Sequence, residues 1–332
     1  MKTLAPLAFA LALSSAALAA TAPAADWKAL NAESIALYKK GDVNGAIATG
    51  ARAIEAAAAQ LGGDHVAVAT VVSNVARMMD SAGFDSDAEA LYRRALAIRE
   101  KQLGPDHLDV ASTLNNLGSV LRDENQAAAA EPYLLRALAI REKQLGPENA
   151  DVATTLNNLG ATYRALGRYA EAESAYMRAL RIREKVLGPA HAEVGSTLHN
   201  LGALYDAQGQ ADKAEPIFRL ALEVRRKALP PDDLDLAATM SELGEIYLAA
   251  HAPDKALPLM QQAYEIRLKK LPAKHPDVAQ SRRDLYAVYA TRGEFATAEQ
   301  YAEEGQVTVN EEQRRRLSVP MPSPGMSPTR LN

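Results

Sequence analysis

Apolar residues recur along this chain at helical spacing, in blocks that are themselves repeated. Leu156, Leu159, Tyr163 and Leu166 lie at i, i+3, i+7 and i+10, which is one face of a helix. After Gly167 a second series follows, Tyr169, Ala172, Tyr176, Ala179 and Leu180, again on one helical face. The spacing predicts a helix A, a tight turn and a helix B. The block returns every 42 residues: Ala46, Ala88, Ala130, Ala172, Ala214, Ala256 and Ala298 share one register. RALAIREKQLG at 94–104 recurs at 136–146, and STLNNLG at 112–118 returns as TTLNNLG at 154–160. A fixed period over most of a chain means one supersecondary unit copied and stacked. Sliding by 42 gives repeats at about 19–60, 61–102, 103–144, 145–186, 187–228, 229–270 and 271–312.

The punctuation between the apolar series agrees with helix pairs. Asp109, Asp151, Asp235 and Asp277 share a register just before helix A, where a carboxylate is expected to cap the first free N–H groups. Gly41, Gly83, Asn125, Gly167, Gly209 and Gly293 share the A-to-B turn and suit a left-handed backbone. His251 breaks that series, so strain or a rearranged turn is expected there. Gly104-Pro105, Gly146-Pro147 and Gly188-Pro189 stop helix B. Pro132, Pro216 and Pro258 each remove one backbone donor early in helix B. Small residues at Ser34, Ala76, Gly118, Gly160, Gly202 and Gly244 on helix A, with the seven alanines on helix B, would let helices approach closely. In the last repeat the first of these registers holds Tyr286, and Gly305 replaces the second helix-B alanine; the first repeat has Glu33 where Leu117 and Leu159 stand. Terminal repeats are expected to deviate because one side faces water.

The pattern Leu156, Leu159-Gly160, Tyr163, Ala172, Tyr176, Ala179 resembles the tetratricopeptide repeat, whose usual unit is about 34 residues. The 42-residue form, with LNNLG, AEAESAYMRAL and REK-LGP, is similar to the repeats of kinesin light chains and their bacterial relatives. The eight additional residues fall after Ala179 and lengthen helix B and its exit loop. The resemblance implies an all-α, right-handed α-α superhelix of about seven helix pairs, with helix A lining a concave groove. Nothing here resembles the heptad coiled coil that precedes the repeats of kinesin light chains, so motor association is not implied.

Composition changes this picture little. A stacked array has no single central core, so a length of 332 residues does not argue for two globular domains. The net charge of −4 and the lack of a basic block within the repeats disfavour nucleic acid as a partner. At the N-terminus Lys2, the apolar stretch Leu4 to Leu18 and Ala17-Leu18-Ala19 read as a signal peptide over 1–19, cleaved before Ala20, with an uncleaved anchor as the alternative. The stretch is short for a bilayer core, which wants about 20 residues, and no other segment is apolar enough to span one. These features predict export, most simply to a periplasm. With no cysteine there is neither a lipid-attachment site nor a disulfide. The solenoid is thus placed at 20–312, and 313–332 reads as a Pro- and Ser-rich disordered tail. Arg314, Arg315 and Arg316 before its VPMPSPG segment read as a solvated helix end.

Chemistry is sparse. There is no Cys nucleophile, HExxH, GxSxG or Walker-type loop, and no catalytic residue, cofactor or metal site is expected. His65, His107, His191 and His275 share a loop register, but stacked units lie about 10 Å apart, whereas zinc needs donors about 2 Å away. Asn149 and Asp233 interrupt the series, which is read as a loop residue inherited with the repeat. Charged pairs such as Glu89 and Arg93 suit solvent faces. A line of amides is more suggestive: Asn74, Asn116, Asn158 and Asn200 hold one helix-A register, followed by Glu242 and Asp284. The adjacent register supplies Ser73, Asn115, Asn157, His199, Ser241 and Arg283. Arg77, Arg122 and Arg164, one turn on, would add positive charge for acidic groups. An amide both donates and accepts, so it reads main chain rather than sequence. The tetratricopeptide resemblance implies that such asparagines grip an extended protein or peptide partner; the alternative is that they satisfy polar groups between helices. The reading that results is an exported, non-catalytic scaffold binding a polypeptide segment. Its rivals are an oligomeric assembly subunit using convex or terminal faces and a hydrolase on a helical scaffold.

Overall fold

The computed structural model describes residues 26–305, and these hold fourteen helices and no strand. The signal and tail segments read above lie outside the described residues. The chain divides between Glu124 and Asn125 into two compact units. The first contains α1 (Trp27–Lys39), α2 (Val43–Leu61), α3 (Val66–Ser81), α4 (Asp85–Leu103) and α5 (Leu108–Asp123). The second contains α6 (Ala127–Leu145), α7 (Ala150–Ala165), α8 (Tyr169–Leu187), α9 (Ala192–Ala207), α10 (Ala211–Ala228), α11 (Leu234–Ala249), α12 (Pro253–Lys270), α13 (Pro276–Thr291) and α14 (Phe295–Gly305). Within each unit every helix packs on the next in sequence. Successive A helices also touch: α1 meets α3 and α3 meets α5 in the first unit, and α7, α9, α11 and α13 make a chain in the second. In each unit the surface that its own A helices share is called the A face below.

The helix starts correct one expectation. The caps of α3, α5, α9 and α13 are His65, His107, His191 and His275, whose Nδ1 accepts from the backbone N–H two residues on at 3.0–3.2 Å. Asn149 and Asp233 do the same for α7 and α11 through Oδ1, at 2.8 and 2.9 Å. Asp109, Asp151, Asp235 and Asp277 therefore sit inside the first turn, where a carboxylate complements the helix dipole but does not cap. Histidine, asparagine and aspartate are interchangeable here because each places an acceptor at the same reach. His191→Ala should destabilise the second unit by about 1 kcal/mol and His191→Asn far less, as read by urea unfolding followed by circular dichroism.

The A-to-B turns keep one backbone form. Gly41, Gly83, Gly167, Gly209 and Gly293 have φ between 69° and 84°, and the non-glycine residues at the same place adopt it too, Asn125 at 62° and His251 at 55°. His251 thus retains the turn under strain rather than rebuilding it. Helices α6, α10 and α12 run through Pro132, Pro216 and Pro258.

Packing explains the small registers. All seven alanines from Ala46 to Ala298 are buried. A Cβ on Gly160 would lie 2.7 Å from the Tyr176 ring, one on Gly202 2.9 Å from the Phe218 ring, and one on Gly244 2.8 Å from Met260 Cγ. Helix A gives up a side chain so that a large one from helix B can lie against its backbone. The end repeats invert the trade. Gly50 on α2 faces Ser34, whose hydroxyl donates to the Ala46 carbonyl at 2.7 Å, and in the last pair Tyr286 on α13 shares a core cluster with Ala302 on α14. Tyr286 is buried, so its deviation is compensated inside the pair and does not mark a face turned to water.

The longer helix B carries a second device. Arg99, Arg141, Arg183, Arg225 and Arg267 recur every 42 residues near its end and are all buried. The first four each donate through Nη1 to a backbone carbonyl in the first turn of the next helix A (Asp109, Asp151, Glu193 or Asp235) and to Oγ1 of Thr113, Thr155, Thr197 or Thr239 at 2.5–2.7 Å. Arg267 donates to Ser281 and Ser241. The guanidinium thus ties the exit of one repeat to the entry of the next, and burial lowers the pKa of Arg99, Arg141, Arg183 and Arg225. The first joint differs: Ala57 and Val71 occupy these registers, both fully buried.

Candidate functional site

The amides expected to line a binding surface are on the A face, half-buried except for Asn115, which is buried. In the first unit Asn74 Nδ2 donates to Asn31 Oδ1 on α1 at 3.2 Å, and Asn115 Nδ2 donates to Asn116 Oδ1 at 3.3 Å. In the second unit Asn200 Nδ2 donates to Asn157 Oδ1 on α7 at 3.1 Å, while Asn158 is half-buried beside it in sequence. Two of these bonds join neighbouring repeats, so Asn74 and Asn200 have a packing role. Each spends only one of the two donors on its amide, leaving hydrogen-bonding capacity at a partly exposed surface. Asn31 is a functional candidate that the sequence reading passed over. Its signal was present, since it lies in the register of Ser73, Asn115 and Asn157.

The three arginines do not form a set. Arg122 and Arg164 are one period apart, but their counterpart in the preceding repeat is Asp80, not Arg77. Arg77 is exposed and lies over the Tyr38 ring at 5.5 Å. Arg122 donates to Ser119 Oγ at 3.0 Å and pairs with Asp123 at 2.9 Å, so its charge is partly spent. Asp80 is pushed up to about 6, first by burial and then by Asp123 and Asp85, with Arg122 opposing. In the second unit Arg164 is exposed on α7.

Further along the A face of the second unit the character changes. His199, in the Asn157 register, packs edge-on against Phe218 with centroids 5.4 Å apart, and its Nδ1 lies 3.3 Å from Thr239 Oγ1. Burial, then Arg225 and Arg164, hold its pKa down to about 3, so this half-buried ring is neutral. Beyond it come Asp206, Glu242, Glu245 and Asp284 from α9, α11 and α13, a carboxylate cluster that single-repeat reasoning did not assemble. No group of three metal-ligand side chains is placed to hold an ion among the described residues, and no helix among them is long and apolar enough to cross a membrane.

The tetratricopeptide repeat family pattern matches residues 28–101, 83–143, 151–227, 193–269 and 235–305. No protein of curated function matches the chain. Among solved structures, TPR-like repeats assigned to a kinesin light chain of Podosopora anserina are 24% identical with a TM-score of 0.52, covering 63% of this chain and 99% of theirs. BtubC (BKLC) from P. vanneervenii is 28% identical with a TM-score of 0.56, covering 67% of this chain and 90% of its own. A Rap protein complexed with competence and sporulation factor shares the fold at 17% identity and TM-score 0.61, covering 88% of this chain and 76% of its own. The chain belongs to the tetratricopeptide repeat family, whose helical-repeat scaffold is suited to binding proteins or peptides.

Proposed function

We propose that this chain is an exported, non-catalytic scaffold that holds a polypeptide segment along the A face of its repeats, in envelope protein assembly or tethering. The observation that carries the reading is the half-buried amide register, Asn74 and Asn116 in the first unit and Asn158 and Asn200 in the second, in which Asn74 and Asn200 each keep a second amide donor beyond the bond between repeats. A preformed helical stack adds support, because a receptor that need not reorganise loses little affinity to ordering. The Rap protein crystallised with competence and sporulation factor is a precedent for ligand capture on this fold. Export rests on the residue pattern of 1–19; the mature protein should begin at Ala20 by mass spectrometry.

Replacing Asn116, Asn158 and Asn200 together by alanine should reduce capture of envelope polypeptides by about tenfold or more, equivalent to about 1.4 kcal/mol. The melting temperature should fall by only a few degrees. A large loss of stability with capture intact would assign the amides to packing alone.

A further inference from the structure

Many acidic side chains of the second unit are matched by a cation, among them Glu131 and Glu171 by Arg168, Glu142 by Arg178, and Asp232 by Lys269 and Lys270. Asp206, Glu242, Glu245 and Asp284 are not; among the described residues none of the four has a cationic partner within ion-pairing distance. They come from three consecutive A helices that touch one another. Asp284 is 6% exposed, and while its Oδ1 accepts from Gln280 Nε2 at 2.7 Å, its Oδ2 has no hydrogen-bond partner. A buried carboxylate oxygen left unsatisfied, with Glu242 and Glu245 close enough to interact with Asp284, costs stability. The cations nearby do not answer it. Arg267 is buried and committed to Ser241 and Ser281, Arg283 donates to Gln280, and Arg164 acts on Glu242 only through its field.

We propose that Asp206, Glu242, Glu245 and Asp284 form the seat for a lysine or arginine side chain of the polypeptide held along the A face, an inference that rests on the reading of that face as the binding surface. The charge is spread over three helices rather than converging on a point, which suits an ammonium or guanidinium on a long stem better than a metal ion. Electrostatics agree. Burial, followed by Asp284, Glu242 and Asp206, pushes the Glu245 carboxyl up to about 7 against the opposing Arg267. Burial and then Asp206 raise Glu242, with Arg164 and Arg267 opposing, and burial raises Asp284. An incoming cation relieves this repulsion, so binding draws protons off the cluster and weakens as pH falls through the range in which Glu245 is protonated.

The test uses the full chain and a fluorescent Gly-Ser peptide of about fifteen residues carrying lysines, with a glutamate counterpart, read by anisotropy. The lysine peptide should bind, more weakly at high salt and near pH 5.5 than near pH 8, and Glu242→Gln with Glu245→Gln should weaken it by about tenfold. These exposed or half-buried amide replacements remove repulsion, and unchanged helicity will show that the fold persists; Asp206→Asn provides a second, milder reading. Equal binding of the two peptides, or no effect of the glutamine variants, overturns the proposal while leaving segment capture on the A face intact. Absence of lysine-peptide binding with envelope capture retained overturns it alone. Serine in place of Arg314, Arg315 and Arg316 should change nothing; tighter binding in that variant would make the chain's own arginines the occupant and overturn a partner-borne cation.

Discussion

Arg225→Ala is expected to lower the unfolding free energy of the second unit by about 3 kcal/mol or more, among the largest effects of any single change in this chain. The side chain is 4% exposed, and its Nη1 reaches Thr239 Oγ1 at 2.5 Å and the Asp235 carbonyl at 2.8 Å. Removing it deletes packed stem atoms and takes the charged donor from Thr239 Oγ1 and from the Asp235 carbonyl, which keeps only the Thr239 hydroxyl at 2.9 Å as a side-chain donor. Thr239→Val should also be costly, by about 1.5–3 kcal/mol, because a buried guanidinium then loses a charge-assisted bond. The double variant should fall short of the sum of the singles by at least about 1 kcal/mol, since the costs of the two singles come from stranding the other partner. The first joint, with Ala57 and Val71 in the same registers, is the natural form of that double variant. Equilibrium urea unfolding of the four proteins gives the coupling directly, and additive losses would remove the ladder from the account.

Gly160→Ala should cost about 2 kcal/mol while Gly244→Ala is close to neutral. The added methyl at Gly160 would stand 2.7, 2.7 and 2.9 Å from three ring atoms of Tyr176, a fully buried side chain with no open direction to move. Overpacking of this kind outweighs the roughly 1 kcal/mol that alanine gains over glycine in a helix. At Gly244 the methyl meets Met260 Cγ at 2.8 Å and Cε at 3.0 Å, and an unbranched thioether can change rotamer. Thermal melts should therefore place Gly160→Ala below Gly244→Ala by several degrees. The reverse order would show that ring and thioether yield equally.

The helices, turns and close-packed registers were legible because a 42-residue period sets equivalent positions side by side in the sequence. The caps were misplaced by two residues because histidine and aspartate flank the same helix start, and only the position of the first turn decides between them. The arginine ladder was hidden in the REK motif, which looks like a solvated face. Its clue was covariation, with arginine facing threonine or serine in five joints and alanine facing valine in the first. The candidate site was half visible. The amides share one register, but Arg77 and Arg122 are 45 residues apart, so 45 − 42 leaves Arg77 three positions off the register of Arg122 and Arg164. The carboxylate cluster draws on three registers and three helices, a juxtaposition that no single alignment of repeats displays.

The uncharged joint between α2 and α3 has an experimental use. With Ala57 and Val71 in place of guanidinium and hydroxyl, it is held without the charge-assisted bonds to neutral acceptors that Arg99 makes at the next joint, bonds that burial shields from added electrolyte. The molecule thereby carries an internal standard: hydrogen exchange along α2 and α3 reports a joint with no buried cation, and departures from it at α4 and α5 reflect what the guanidinium contributes.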